Sequence, residues 1–475
     1  MDIVAKYEEL LAKLNYCGQG HLLKYYDQLL ENEKVSLLKQ IQQLDFDNLP
    51  DWVADYVKNE HTLTVPTEFS PAPAHSAAPA SPDQNELYEK AKNLGIELLS
   101  SGGVAAFVVA GGQGTRLGFD GPKGDFPVSP IEQKTLFQIF AEYVLAASKK
   151  YQAAIPWYIM TSPLNNAETK EIFESADYYG LDKDDVCIFI QGTMPNFGFD
   201  GKILLAEKGR LATSPDGHGG SLMALRKSGA LDDMISRRVR HISYWQVDNP
   251  LINICDPLFI GLHAMEKSGM SSKALKKVEP LEKVGNFCLV DGKVSVIEYS
   301  DLSDEDANKR NPDGTLMFEL GSIGIHMISV DFVKELTDGV FSLPFHRAVK
   351  KIPFIDDDGN TVEPVEPNGV KLETFIFDAL PLSDNSTILQ TVRSEEFAPV
   401  KNATGVDSAE VTRQMMTERA AVWLEDAGVT VPRKDDGTPD CVLEIASSFA
   451  LHKEDVRAKI TAVPELTPGC RVYLD

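Results

Sequence analysis

The residues best suited to chemistry in this chain are Gly111, Gly112, Gln113 and Gly114, followed by Thr115, Arg116 and then Lys123. A turn without Cβ atoms lets backbone N–H groups come up to a phosphate. Two cations close behind it would complete a cradle for a polyphosphate. The pattern is not the dinucleotide fingerprint, because Pro122 follows soon after the glycines and opposes an immediate long helix. It is not a P-loop either, since no G-x-x-x-x-G-K-[ST] string is present. A lone carboxylate, Asp248 in the string QVDNPL, follows an apolar run. Such a group can hold Mg²⁺ beside phosphate oxygens, since magnesium keeps several waters and needs few protein ligands.

Strands must deliver these groups. Val104 to Ala110 is an uncharged apolar run that suits a strand buried on both faces and leads straight into the glycines. Further candidate strands are Phe107–Ala110 within that run, Trp157–Thr161, Val186–Gln191 and His241–Val247. Thr135 to Leu145 and Asn166 to Phe173 read as helices between them. This alternation predicts an α/β fold with a largely parallel sheet. Ligands bind at the carboxyl ends of such strands, where the glycine turn, Gln191 and Asp248 would meet. Residues 279 to 302 read as a hairpin with Glu298 near its end, and 316 to 330 as a returning buried strand.

Around this block, residues 1–65 form an N-terminal helical segment, with Leu10, Leu14, Leu37, Leu38 and Ile41 at helical spacing. Residues 66–84 are rich in Pro, Ala and Ser and predict an extended linker, with a helix from Asn85 to Ser100 after it. Residues 386–475, where the alternation changes, predict a small C-terminal domain.

The chain has 475 residues, is 43 % hydrophobic and carries a net charge of −25. That balance predicts a globular protein and argues against broad nucleic-acid binding, which depends on cations. No segment reaches the ~18 apolar residues of a membrane span, and the first residues lack the basic and apolar regions of a secretory signal. The six cysteines are scattered, without metal-ligand spacing. They read as reduced core thiols in a cytoplasmic protein.

The string AGGQGTRLG followed by PKG resembles the eukaryotic-type UDP-N-acetylglucosamine pyrophosphorylases and their UDP-sugar and UDP-glucose relatives. GQGHLLKYYDQLLENEKVSLLKQIQQLDF resembles the N-terminal helices of the first two groups. The resemblance implies a Rossmann-like, mostly parallel sheet within residues 85–385, the catalytic nucleotidyltransferase domain. It implies transfer of a uridylyl group from UTP to a sugar 1-phosphate, releasing pyrophosphate. A phosphate oxygen attacks the α-phosphorus, so no general base is required and catalysis is alignment and charge stabilisation.

The same resemblance implies residue roles. Gly111, Gly112, Gln113, Gly114 and Thr115 would hold uridine and phosphates. Arg116, Lys123 and Lys401, in FAPVK, would bind phosphates and stabilise the leaving pyrophosphate. Gln191 in FIQGTMP would read uracil with an amide that both donates and accepts. Gly217 in PDGHGG would lie against uracil or ribose. Asp248 would serve the nucleotide and Mg²⁺. His218, Asn249, Gly285, Glu298, Ser322 and Lys371 would border the sugar.

Two positions depart from the N-acetylglucosamine pattern, which carries Asn where this chain has His218 and Ser322. N-acetylglucosamine 1-phosphate is the acceptor that the overall pattern implies. Glucose 1-phosphate, or a broad set of hexose 1-phosphates, is the alternative. A non-catalytic nucleotide-sugar binding protein is the reading from another class. Retention of Arg116, Lys123, Asp248 and Lys401 together argues against it. The expected partners are small substrates alone, with no nucleic acid or membrane and the oligomeric state open.

Overall fold

The computed structural model describes residues 3–59, 66–339 and 343–475. The end of the N-terminal segment, 60 to 65, lies outside the described residues. The chain divides into two compact units, each discontinuous in sequence. One comprises 1–64, 192–221 and 342–378; the other comprises 65–191, 222–341 and 379–475.

In the first unit the helices Ile3–Tyr16 and Glu31–Gln42 pack their apolar stripes into one cluster. Leu10, Leu14, Leu37 and Ile41 are fully buried there, beside Phe197, Val370 and Leu372. The last two come from Gly369–Thr374, which pairs antiparallel with both Phe345–Lys350 and Phe197–Gly198. Gln19, from the string GQGH, is a structural amide. Its Nε2 donates to Gly201 O at 2.9 Å and its Oε1 accepts from Ile203 N–H at 2.8 Å.

The second unit is built on a ten-stranded sheet. Its strands are β1 (Ser70–Pro71), β2 (Val104–Val109), β3 (Trp157–Thr161), β4 (Val186–Ile190), β5 (His241–Gln246), β6 (Met270–Lys276), β7 (Gly285–Val290), β8 (Lys293–Ile297), β9 (Leu320–Ser329) and β10 (Ile388–Gln390). The order is β1-β7-β9-β5-β2-β3-β4, with β6 on β9 and β10, and β8 on β7. The run β5-β2-β3-β4 is parallel throughout, and β9 and the β7–β8 hairpin extend it antiparallel.

The parallel strands are the ones read from continuous apolar runs. Phe107, Trp157, Tyr158, Tyr244 and Trp245 are all at most 1 % exposed. Strand β2 begins three residues before the Phe107 boundary and ends at Val109, so the glycines follow directly.

Helices α1 (Pro82–Ser100), α2 (Leu136–Tyr151), α3 (Asn166–Ser175), α4 (Pro257–Met265) and α5 (Ala409–Asp426) belong to this unit. Helix α1 starts before Asn85 because Ser81 caps it, accepting from Gln84 N–H, and Pro82 stands at its first turn. Helices α1 and α4 meet backbone to backbone. A Cβ on Gly95 would lie 1.9 Å from Pro257 O, and one on Gly261 1.7 Å from Ala91 O.

The stretch from 66 to 81 is extended and bonded along the sheet. Ser70 and Pro71 pair with Leu289 and Cys288, and His75 exchanges backbone bonds with Ile388 and Gln390. Toward the end of the chain, strands β11 (Val442–Ile445) and β12 (Arg471–Leu474) pair in parallel. With α5 they enclose a separate apolar cluster that includes Trp423, Leu424, Leu443 and Val456.

Candidate active site

In the second unit, the ends of β2 and β5 bring together most of the charged residues singled out by type. The glycine turn closes on itself. Gly114 N–H donates to Gly121 O at 2.9 Å and Lys123 N–H to Gly112 O at 3.1 Å. Lys123 is thereby tied to the turn it follows. Thr115 to Leu117 make a single 3₁₀ turn that leaves Thr115 and Arg116 exposed.

Residue type matters at Gly111. A Cβ there would lie 2.3 Å from Gln191 Oε1, so the missing side chain is what admits the Gln191 amide against the turn. Gln191 follows β4 and is anchored by its own N–H to Thr161 O at 2.8 Å.

Lys123 Nζ stands 3.8 Å from Asp248 Oδ2, and both side chains are mostly buried. That separation is an ion pair without a hydrogen bond. Burial holds the Lys123 ammonium below the usual lysine range; Asp248 opposes the shift, while the charges of Lys401 and Arg116 add to it. Lys401, Arg116, Asp248 and Asp407 are thus all within electrostatic reach of Lys123. In a chain of net charge −25, this cluster is a local attractor for anions.

Lys401 is exposed on the loop after β10. The loop is docked on the end of β5: Val400 N–H donates to Asp248 O at 2.8 Å. Lys401 N–H donates to Asp407 O at 2.7 Å, and its Nζ lies 5.8 Å from the Phe397 ring centroid.

Asn249 holds this docking. Its Nδ2 donates to Glu396 O at 2.6 Å, and its Oδ1 accepts from Ala398 N–H at 3.0 Å. Both ends of the amide are committed to this protein's own backbone, and the residue is 4 % exposed. A sugar-facing role, implied by the resemblance, therefore does not match the geometry. Asn249 is a clasp between the Asp248 strand end and the Lys401 loop.

Two further supports were not read from the sequence. Asn165 Nδ2 donates to Ala110 O at 2.9 Å and to Gly112 O at 3.2 Å, while its Oδ1 accepts from Ser162 N–H at 2.8 Å. It fixes the glycine turn from the end of β3. The dipeptide Asn165-Asn166 at the start of α3 is the signal that could have found it. The second is Glu396, whose carboxylate takes hydrogen bonds from Lys273 Nζ at 2.5 and 2.7 Å. Lys273 is 1 % exposed and also meets Asp256 Oδ2 at 2.6 Å. No local sequence pattern links these three.

Gly285, Glu298 and Ser322 converge where β7 and β9 pair. Ser322 is the register partner of Gly285. A Cβ on Gly285 would lie 3.3 Å from Glu298 Oε1 and 3.7 Å from Ser322 Cβ.

Gly217, His218 and Lys371 belong to the first unit. Gly217 has φ of 85°, and a Cβ there would lie 2.3 Å from Thr374 O, so only glycine suits the position. The His218 ring is half-buried and stacks on Phe375, with centroids 5.1 Å apart and planes 6° apart. Its Nδ1 accepts from Ile376 N–H at 3.1 Å, which leaves any proton of the neutral ring on Nε2. Burial and the neighbouring His346 push its pKa down to about 4. His346 stacks on the same Phe375 ring and bonds Asp378 Oδ2 at 2.8 Å. Lys371 lies on Gly369–Thr374 opposite Ala348.

Residues 54–471 match the family model described as UTP–glucose-1-phosphate uridylyltransferase. The chain belongs to that family. Among its relatives, the UDP-N-acetylhexosamine pyrophosphorylase-like protein 1 of Xenopus tropicalis is 37 % identical over 425 residues, covering 86 % of this chain and 81 % of that one. The UDP-N-acetylglucosamine pyrophosphorylase of Saccharomyces cerevisiae is 35 % identical over 460 residues, covering 92 % and 94 %. The crystal structure of the uridine diphosphate N-acetylglucosamine pyrophosphorylase of Trypanosoma brucei, in complex with inhibitor, superposes with a TM-score of 0.83. Its identity is 25 %, over 99 % of this chain and 98 % of that one. The family places the chain among the nucleotidyltransferases and bears out the α/β fold with its parallel sheet.

Proposed function

We propose that this uridylyltransferase joins UTP to N-acetylglucosamine 1-phosphate, giving the UDP-sugar and pyrophosphate, through the charged cluster at the ends of β2 and β5. The observation that carries the residue assignment is that Lys123, bonded to the glycine turn, pairs with Asp248, whose carbonyl anchors the Lys401 loop. The backbone of Gly111, Gly112, Gln113, Gly114 and Thr115 faces uridine and phosphates, and the Gln191 amide reads the pyrimidine edge. Lys123 and Lys401 neutralise charge that moves onto pyrophosphate as the α-phosphorus bond to it breaks. Where β7 and β9 pair, Gly285, Glu298 and Ser322 border the sugar phosphate. The names of the relatives support N-acetylglucosamine as the sugar.

Enzymes that make UDP-sugars with release of pyrophosphate generally use a divalent metal, and magnesium is the ion proposed here. The donor set fits. Among the described residues no group of three or more His, Cys, Asp or Glu converges as a cage. Asp248 supplies one carboxylate, as Mg²⁺ held largely by water and substrate phosphates requires. When bound, the ion would offset negative charge on the phosphate oxygens.

A cytoplasmic location and a small C-terminal domain over 386–475 belong to the same reading. The separate apolar cluster around Trp423 and Leu443 supports the latter. No helix among the described residues is long and apolar enough to cross a membrane.

The test is pyrophosphate release from UTP across a panel of sugar 1-phosphates. The reading expects the highest kcat/KM with N-acetylglucosamine 1-phosphate. Equal or better turnover of glucose 1-phosphate would replace that sugar assignment, and no release with any sugar would overturn the activity.

A further inference from the structure

The β11–β12 ribbon begins at two thiols. Cys441 immediately precedes Val442 of β11, and Cys470 immediately precedes Arg471 of β12, and Val442 and Arg471 are register partners. Two backbone hydrogen bonds bracket the pair: Gly469 N–H donates to Asp440 O, and Val442 N–H donates to Cys470 O at 2.9 Å. The cysteines therefore lie side by side at the heads of two parallel strands, and the Cys470 thiol acts electrostatically on that of Cys441. Neighbouring strands run ~4.8 Å apart, inside the range of Cα separations that a disulfide spans. Both are free thiols. Cys441 is 8 % exposed, whereas Cys470 is half-buried and open to a small reagent. Burial and the adjacent Cys470 push the Cys441 thiol up to about 11.

The ribbon they precede is not peripheral to the unit. Glu444 Oε2 accepts from Ile131 N–H at 2.7 Å and Glu132 N–H at 3.0 Å. Arg471 donates to Pro130 O at 3.1 Å, and Lys134 Nζ donates to Tyr473 OH at 2.8 Å. These bonds hold the loop that leads from the Lys123 turn into α2. A covalent link at the head of the ribbon would fix the pairing on which all of them depend.

We propose that Cys441 and Cys470 form a reversible thiol–disulfide pair, oxidised by a low-molecular-weight disulfide such as oxidised glutathione. The more exposed Cys470, as thiolate, attacks one sulfur of the reagent and forms a mixed disulfide, releasing one glutathione thiolate. Cys441, losing its proton to solvent, attacks the Cys470 sulfur and releases the second. Two protein thiols are oxidised to one disulfide and one glutathione disulfide is reduced to two glutathiones. The elevated Cys441 thiol makes the second step the slow one. Its product closes the chain from 442 to 469 into a loop that includes Leu443, Val456 and Leu466 of the C-terminal apolar cluster.

The full-length protein is incubated with oxidised glutathione at mildly alkaline pH, alkylated and digested with trypsin, which cuts between the two cysteines at Lys453, Arg457 and Lys459. The expected result is a linked peptide pair containing Cys441 and Cys470, abolished by dithiothreitol. It is accompanied by a rise in melting temperature that reverses on reduction. The Cys441→Ser variant should stop at the mixed disulfide on Cys470 and show no such rise. Persistent glutathionylation of Cys470 without the cross-link in the unaltered protein would overturn the proposal. So would labelling of both thiols at the rate of the unoxidised control.

Discussion

In the proposed reaction Lys123 and Lys401 act on charge that shifts as pyrophosphate leaves, so their loss should register in kcat more than in the KM for UTP. Each replacement by Ala is expected to cost ~2–4 kcal/mol of transition-state stabilisation, on the scale of losing one oxyanion donor. A change confined to KM would remove both from that role. Asp248→Ala should abolish turnover with the melting profile unchanged, and excess chelator should do the same to the unaltered enzyme; full turnover in chelator would remove the metal from the account. His218 and Ser322 stand where the N-acetylglucosamine pattern carries Asn. The double change His218→Asn with Ser322→Asn should raise preference for the N-acetyl sugar about fivefold, the worth of ~1 kcal/mol for one hydrogen bond. The unaltered enzyme should accept both N-acetylglucosamine 1-phosphate and glucose 1-phosphate, and outright rejection of either would remove these positions as determinants. The placement of Lys123 beside Asp248 was legible because short spacings after two apolar runs carry it. The job of Asn249 was not legible. Its neighbour Asp248 suggested substrate, but its partners Glu396 and Ala398 lie almost 150 residues away in sequence.

At the scale of elements, the Lys401 loop is placed by a buried ionic anchor. Glu396 binds Lys273 through its carboxylate and Asn249 through its carbonyl; Thr391 Oγ1 and Asn253 N–H add to the carboxylate. Burial alone would push the Lys273 pKa down, yet Asp256 and Glu396 hold it above the usual lysine range. Removing one partner leaves a buried charge uncompensated, so Lys273→Met should destabilise the protein by ~3–5 kcal/mol in urea unfolding. Glu396→Gln keeps the shape and the backbone clasp. It should lower kcat while leaving the KM for UTP close to that of the unaltered enzyme; an unchanged kcat would show that the loop does not depend on the anchor. Strand β3 was readable end to end because its apolar run is bounded on both sides. The start of α1 was set three residues late because the Ser81-Pro82 cap lay inside a stretch whose composition reads as linker. The pairing of Gly369–Thr374 with Phe197–Gly198 joins segments with no shared local signal, so the discontinuity of both units was invisible in sequence.

For the whole molecule, two histidines contribute to the acid limit of stability. Burial and the Arg240 charge push His241 down to about 4. Burial and the facing His241 push His263 well below its ordinary range. His263 is bonded through Nδ1 to Ser271 Oγ at 2.8 Å. Both rings bind a proton less readily folded than unfolded. Their contribution is therefore fully present above the unfolded value of ~6.5 and is lost as pH falls toward about 4. Urea midpoints should drop between pH 7 and pH 5, and His263→Asn should flatten that slope; a flat profile in the unaltered protein would contradict this. In the proposed reaction one cluster at the ends of β2 and β5 carries uridylyl transfer. This is tested most directly by quantifying both products from UTP and N-acetylglucosamine 1-phosphate, for the unaltered enzyme and for Asp248→Ala and Lys401→Ala. UDP-sugar and pyrophosphate are expected in equal amounts from the unaltered enzyme, with both lost in folded variants. Absence of product, or undiminished product in both variants, would contradict this assignment.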